Sequence, residues 1–331
     1  MKTNNKRWLA FASLCVGLGI SSSAHAVWTF DSTTTSGLAN YQSCTTPGSN
    51  GCSAQGTTTT KVDTTTVALS GFAVQNAGYK ETYVGATYSN GTWSGGTLTP
   101  SGGTNGGFNT AGSVSDGKGG TYTTSGNWAA NSLSWYSGGG QGMTSGAQDG
   151  GTPSHAIDNN GKTEAVLLSF SASTVLSSIG LGYTNGSSSV DISLFRWTGT
   201  SAPTLAGVAA NTMAGWELVG NYGDLLADTS NPYNLVNSAG KTSSWWLVSA
   251  YNSGFTQTAG ETRGTPLTNG DDYFKLYAAA GTTCTKTIDA NGVCGGTTVN
   301  RAPEPASLAL TSAALLGMAG LRRRNKAKAA A

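Results

Sequence analysis

An all-β fold, an antiparallel β-sandwich of the jelly-roll kind, is what this sequence predicts, and three observations predict it. Apolar and polar residues alternate over short runs, Gly, Asn and Ser bound those runs, and no convincing helix separates them. Low charge and 48 glycines are also marks of disorder, but nine Trp and twelve Tyr supply the large apolar side chains that disordered chains lack. Short strands at close spacing then favour a sandwich over a parallel sheet.

Taken in chain order, "TTVALSGFAVQ" (65–75) and "NSLSWYS" (131–137) read as strands in the first part of the body. Between them the Gly/Thr/Ser-rich stretch from Asn90 to Gly126 reads as an extended loop region of the same domain. From about residue 163 the signals strengthen. "EAVLLSF" (Glu164 to Phe170), "TVLSSIGLGY" (Thr174 to Tyr183) and "VDISLFRW" (Val190 to Trp197) are three successive strands, with "TNGSSS" as a turn before the third. Val175, Ile179, Leu181 and Tyr183 are expected on one face of the second, and Val190, Ile192 and Leu194 alternate with Asp191 and Ser193 in the third. "GWELVGNY" (215–222), "SSWWLVSAYN" (243–252) and "DDYFKLYAAAG" (271–281) complete the set.

The N-terminus carries Lys2, Lys6 and Arg7, then an apolar stretch from Trp8 to Ile20 that is too short to span a bilayer. Ala24-His25-Ala26 follows, the small-x-small pattern of a signal peptidase site. Residues 1–26 therefore read as a signal peptide for the Sec machinery, and the mature chain begins at Val27. Cys15 follows Leu14 rather than a small residue, so lipidation is not expected.

Eight of the 18 basic residues lie in that segment and in the last ten residues; the ten that remain against 16 acids leave the body at about −6. That balance excludes a basic nucleic-acid footprint. Four cysteines remain in the exported chain, an even number that favours disulfides. Three connectivities exist, and the turn-rich loops they enclose favour the local pairs Cys44–Cys52 and Cys284–Cys294. A four-cysteine zinc site would want a C-x-x-C spacing that is absent.

Chemistry is sparse. His155 is the one histidine left after processing, and no G-x-S-x-G elbow accompanies it, so it reads as a loop-fixing residue and no catalytic residue is assigned. No cofactor is expected. The stretch from Asp158 fails the EF-hand template, with Lys162 at the fifth position and Thr163 at the sixth; an irregular calcium site would draw on Asp158 with Asp271 or Asp272. Carboxylate pairs for glycoside hydrolysis are inevitable among so many acids and decide little. Trp93, Trp128, Trp135, Trp197, Trp216, Trp245 and Trp246 read first as core; of the adjacent pair Trp245 and Trp246, alternation turns one inward and leaves the other for a ligand.

At the C-terminus Pro303, Glu304 and Pro305 precede an apolar run of 16 residues, Ala306 to Leu321, about 24 Å as a helix. Arg322, Arg323 and Arg324 open the basic tail 322–331 and would stop transfer, holding the body (27–300) outside the inner membrane. The segment "PEPASLAL…LLGMAGLRRR" resembles the PEP-CTERM sorting signal of exported bacterial proteins. "SHAIDNNGKTEAVLLSF", "GWELVGNY", "SSWWLVSAYNSGF" and "GDDYFKLYAAAG" are similar to segments of the exosortase-dependent surface proteins. The resemblance implies recognition by exosortase, cleavage near residues 303–305, and transfer of the body to the cell surface or extracellular matrix of a Gram-negative bacterium. A carbohydrate-binding module contacting an extracellular polysaccharide is the alternative reading, and a glycan-active hydrolase a third.

Overall fold

The computed structural model describes residues 26–30, 41–42, 52–57, 62–78, 81–84, 87–89, 92–94, 97–100, 106–109, 112–115, 121–124, 126–131, 133–136, 140–143, 156–184, 189–227, 233–270 and 272–295. Extended backbone follows the β-branched and aromatic runs throughout. The first part holds β1 (Ala26–Thr29), β2 (Tyr41–Gln42), β3 (Cys52–Thr57) and β4 (Val62–Gln75). Six short strands follow: β5 (Glu81–Val84), β6 (Thr87–Ser89), β7 (Thr92–Ser94), β8 (Thr97–Pro100), β9 (Gly112–Ser115) and β10 (Thr121–Thr124). Then come β11 (Ala129–Asn131), β12 (Leu133–Tyr136), β13 (Gly140–Met143) and β14 (Ile157–Asp158). The last part holds β15 (Lys162–Thr184), β16 (Val190–Trp197), β17 (Trp216–Leu225), β18 (Tyr233–Leu235), β19 (Ser243–Ala250), β20 (Glu261–Arg263) and β21 (Tyr273–Thr283).

The two strands expected over 164–170 and 174–183 are one strand, β15. Its first half pairs with β4, from Lys162 opposite Gln75 to Phe170 opposite Val67, and with β19 on the other side. Its second half leaves β4 and pairs with β21, from Thr174 opposite Thr283 to Thr184 opposite Phe274. Ser171-Ala172-Ser173, between the two expected strands, is where β15 changes neighbours, and its register against β19 shifts there. Because β21 also pairs with β1, β1 with β3 and β3 with β4, the hydrogen-bonded path β4–β15–β21–β1–β3 returns to β4. The circuit gives each of those strands two neighbours, its narrowest link being the single pair Val27–Thr57 between β1 and β3.

The sheet is mixed rather than purely antiparallel. β20 runs parallel to β17, with Gly220 opposite Glu261 and Tyr222 opposite Arg263. The segment 251–260 crosses one face of the sheet, planting Phe255 there, and a crossover of that kind returns the chain in the same direction.

Apolar side chains bury on both faces of β15. Val166, Leu168, Phe170, Leu176, Ile179 and Leu181 join a cluster with Trp28, Trp246 and Phe274. Ala165 and Leu167 join a second cluster with Phe195, Trp216 and Phe255. Burial on two sides explains why "AVLL" is a continuous apolar run instead of an alternating one. The expected face Val175, Ile179, Leu181 is corrected at its first member: a register shift between Leu176 and Ser178 puts Leu176 in the cluster instead. Tyr183 is partly buried, with the Lys275 ammonium 4.9 Å from its ring centre. In β16 Val190, Ile192 and Leu194 share the first cluster as expected.

The stretch 90–126 is not a plain loop. β5 pairs with β8 and β6 with β7 in one continuous antiparallel register, from Glu81 opposite Pro100 to Ser89 opposite Thr92, and β9 pairs with β10. The two residues between Ser89 and Thr92 are Asn90 and Gly91, the dipeptide that two-residue hairpins favour, and that signal stood in the sequence. Between the two hairpins residues 106–109 are tied to the main sheet. Ala77 N–H donates to Gly107 O at 3.1 Å, Asn109 N–H donates to Gln75 O at 3.1 Å, and the Phe108 ring lies 5.1 Å from Phe255.

Candidate functional site

Several sequence-predicted site residues lie outside the described residues: Ala24, Cys44, His155, Asp271, Pro303, Glu304, Pro305, Arg322, Arg323 and Arg324, together with the apolar run 306–321. Among the described residues no helix is long and apolar enough to cross a membrane. Ala26 is the first residue of β1, fully buried opposite Gly281, so cleavage after it would leave Val27 to Thr29 paired with β21. Cys52 opens β3.

Asp158 and Asp272 sit in a network of amides and carboxylates that ties together the turns at one end of the sheet. Asp272 is 1% exposed; its Oδ2 accepts from Asn159 Nδ2 at 2.5 Å and its Oδ1 from Asp191 N–H at 2.6 Å. Asn159 returns the contact by accepting from Asp272 N–H at 3.0 Å, and its amide also donates to Tyr251 O at 2.8 Å. Asp191 accepts from the Asp224 N–H at 3.1 Å and the Thr268 N–H at 2.6 Å. Nearby Thr163 donates to Asn76 Oδ1 at 2.6 Å, and Asn252 donates to Thr163 Oγ1 at 2.8 Å. Asp158 Oδ1 accepts from Asn160 N–H at 3.0 Å. Burial raises the Asp191 carboxyl above its usual range, and the Thr268 and Asp224 N–H groups only partly offset this. Burial and the nearby Asp191 and Asp272 carboxylates raise the Tyr251 phenol as well. These oxygens are engaged by N–H donors that fix loops, and among the described residues no group of three His, Cys, Asp or Glu is arranged to hold a metal ion.

A second cluster joins Tyr222 on β17 to Glu261 on β20. The phenol donates to Glu261 Oε1 at 2.5 Å, Ser238 N–H donates to the same oxygen at 2.9 Å, and the Ser238 hydroxyl donates to Oε2. Burial works against ionisation of Glu261, but the Ser238 and Tyr222 donors outweigh it and hold the carboxyl below the usual value. Burial and the Glu261 carboxylate push the Tyr222 phenol well upward, so it stays a donor. A depressed carboxyl contributes stability above the usual glutamate value of 4.5 and loses it as pH falls through the lowered native value. Acid unfolding of Glu261→Gln should therefore show a shallower loss of stability below that pH than the parent, as read by urea midpoints across a pH series.

The pair Cys284–Cys294 forms a disulfide with a Cα separation of 5.8 Å, as the local connectivity predicts for that loop. The loop it closes lies against an ion cluster on β16 and β17. Arg196 pairs with Glu217, and Lys241 Nζ lies 2.9 Å from the same carboxylate. Asn291 O accepts from Lys241 Nζ at 2.6 Å, and Gly292 O accepts from Thr242 N–H at 2.8 Å. Replacing both cysteines by serine should cost about 2–3 kcal/mol, the loop-closure entropy of a ring of this size, measurable by urea unfolding with and without reductant.

On the other face at this end of the sheet, tryptophans form a row. Trp197 on β16 stands directly opposite Trp216 on β17, with ring centres 5.5 Å apart and planes tilted by 58°. β19 flanks β16 on its other side, with Arg196 opposite Trp246 and Phe195 opposite Leu247. That pairing ends at Arg196 and Trp246; Trp197 and Trp245 are the next residues on the two strands, and both pack against the same cluster as Leu247 and Trp216. Trp216 is buried at 4% exposure, whereas Trp197 and Trp245 are partly exposed. Trp246, pointing the opposite way, is fully buried. Of the other tryptophans singled out in the sequence, Trp128 is buried with its indole N–H donating to Met213 Sδ at 3.0 Å, and nothing is described of the Trp93 and Trp135 side chains.

The Trp197 ring is held rather than loose. Its Nε1–H donates to Ser201 O at 2.8 Å. A Cβ at Gly199 would fall 2.6 Å from Nε1, and one at Gly215, where φ is +80°, 2.3 Å from the six-membered ring. Glycine at these two positions is what lets the backbone close on the ring's edge. Sequence reasoning named these tryptophans but had no means of aligning them, because residues 197, 216 and 245 meet only through the order of the strands. No family model, no curated protein and no solved structure matches this chain.

Proposed function

We propose that this chain is an exported, non-catalytic surface or matrix protein whose body is a β-sandwich and whose C-terminal segment is a sorting signal cut by exosortase. The observation that carries the reading is the order of the tail: Pro303-Glu304-Pro305, sixteen apolar residues, then Arg322 to Arg324. The proline pair keeps the motif extended and accessible beside the membrane, and the arginines hold the far end in the cytoplasm. The body supports the reading in two ways. Its strands close on themselves through β15, which suits a protein that must persist outside the cell without chaperones. Its described disulfide requires an oxidising compartment to form and last.

The test is the intact mass of the protein in surface and medium fractions of a host with exosortase and of one lacking it. A species beginning at Val27 and ending near residues 303–305 is expected only where the enzyme is present. A product that retains Arg322 to Arg324 in both hosts would make the tail a plain membrane anchor and overturn the sorting reading.

A further inference from the structure

We propose that the row Trp245–Trp197–Trp216 is a docking platform for a neutral polysaccharide, with the exposed parts of Trp245 and Trp197 stacking on pyranose rings. This names a partner for the surface role proposed above and rests on that reading only for its setting, since the binding itself does not involve the tail.

Three observations carry it. First, Trp197, Trp216 and Trp245 pack against one cluster on one face of three adjacent strands, where Trp216 is buried and the partly exposed Trp197 and Trp245 offer aromatic surface. A pyranose chain offers the complement: C–H groups on the ring face for the indoles and hydroxyls around the ring edge. Secondly, Trp197 is fixed by its bond to Ser201 and by the backbones of Gly199 and Gly215, so little rotamer freedom remains to be lost when a ligand binds. Thirdly, the indole Nε1–H of Trp216 is buried and has no acceptor among the described residues. A buried donor in that state gains from an acceptor that reaches it, and a ligand hydroxyl acting through one water supplies one.

The surroundings select the class of ligand. Charge at this end of the sheet is turned away: Arg196 and Glu217 neighbour Trp197 and Trp216 in sequence, so strand alternation puts them on the opposite face. Around the row stand hydroxyls instead. Thr198, Thr200 and Ser201, which follow Trp197 directly, are exposed. An aromatic face with a hydroxyl rim and no charge fits an uncharged glycan better than an acidic one, which would call for Lys or Arg, or an apolar protein surface, which would call for aliphatic neighbours.

The experiment is affinity electrophoresis of the full chain, exported and purified in detergent micelles, through gels containing mixed-linkage β-glucan, galactomannan or pullulan. At least one polysaccharide should retard the parent. Trp245→Ala should bind about tenfold more weakly or worse, Trp245→Phe should keep part of the affinity, and Gly199→Ala should weaken binding by displacing the Trp197 ring. Should Trp245→Ala fail to fold, iodide quenching of the parent decides, because a bound polysaccharide must shield tryptophan fluorescence. Absence of retardation in all three gels, or equal retardation of parent and a folded Trp245→Ala, overturns the proposal. Either result leaves the tail-processing experiment untouched, so the two readings fail separately.

Discussion

Trp246→Ala is expected to destabilise the protein by about 3–5 kcal/mol, a large fraction of the roughly 5–15 kcal/mol that holds an ordinary domain folded. The side chain is fully buried in the larger apolar cluster, between β15 and β16. Its indole N–H donates to Ser243 O at 3.0 Å and Thr174 O at 3.2 Å, at the place where β15 changes partners. Truncation therefore opens a large cavity and frees two carbonyls at the bend at once. Trp245→Ala, one residue earlier but partly exposed on the other face, should cost far less, and urea midpoints of the two variants measure the difference. Equal effects would show that the strand alternation across this pair is wrong.

Asp272→Ala is the second large expectation, again about 3–5 kcal/mol. Two donors, the Asp191 N–H and the Asn159 side-chain amide, would be left buried without their acceptor, at roughly 1–3 kcal/mol each. Asp272→Asn should restore part of this. One amide oxygen can still accept from Asp191 N–H, but the new NH₂ would face the amide of Asn159. The order parent, Asn, Ala in unfolding midpoints supports the network; Asn equal to the parent would mean that the carboxylate charge contributes nothing.

Much of the fold was legible because strands announce themselves locally. Val190 to Trp197 coincides with β16, and the runs at 215–222, 243–252 and 271–281 overlap β17, β19 and β21, since alternation and turn residues act within a few positions. β15 was legible as strand but not as one strand. Ser171-Ala172-Ser173 carries the polar signature of a turn, and only its neighbours show that the chain continues through it. The pairing of β6 with β7 was foreshadowed by the Asn-Gly dipeptide between them in the sequence, a signal masked by the glycine and threonine around it.

The candidate sites were less legible for a plain reason. Asp272 was singled out as a calcium ligand, yet its partners Asn159 and Asp191 are 113 and 81 residues away, and no local pattern records such a meeting. Trp197, Trp216 and Trp245 were each visible as aromatic, but their alignment depends on β16 lying between β17 and β19.

What the sequence determined by itself is whatever depends on near neighbours along the chain: the all-β class, most strand positions, a preference for the local Cys284–Cys294 pairing, and the residue patterns at the two ends on which the proposed export and sorting rest. Tertiary structure alone decided the closure through β15, the parallel β20, the buried amide–carboxylate network and the tryptophan row. The division follows the range of the forces. Turn chemistry and side-chain alternation act over two to ten residues, whereas burial and hydrogen bonding of distant groups depend on which strands become neighbours, a choice settled by the chain as a whole.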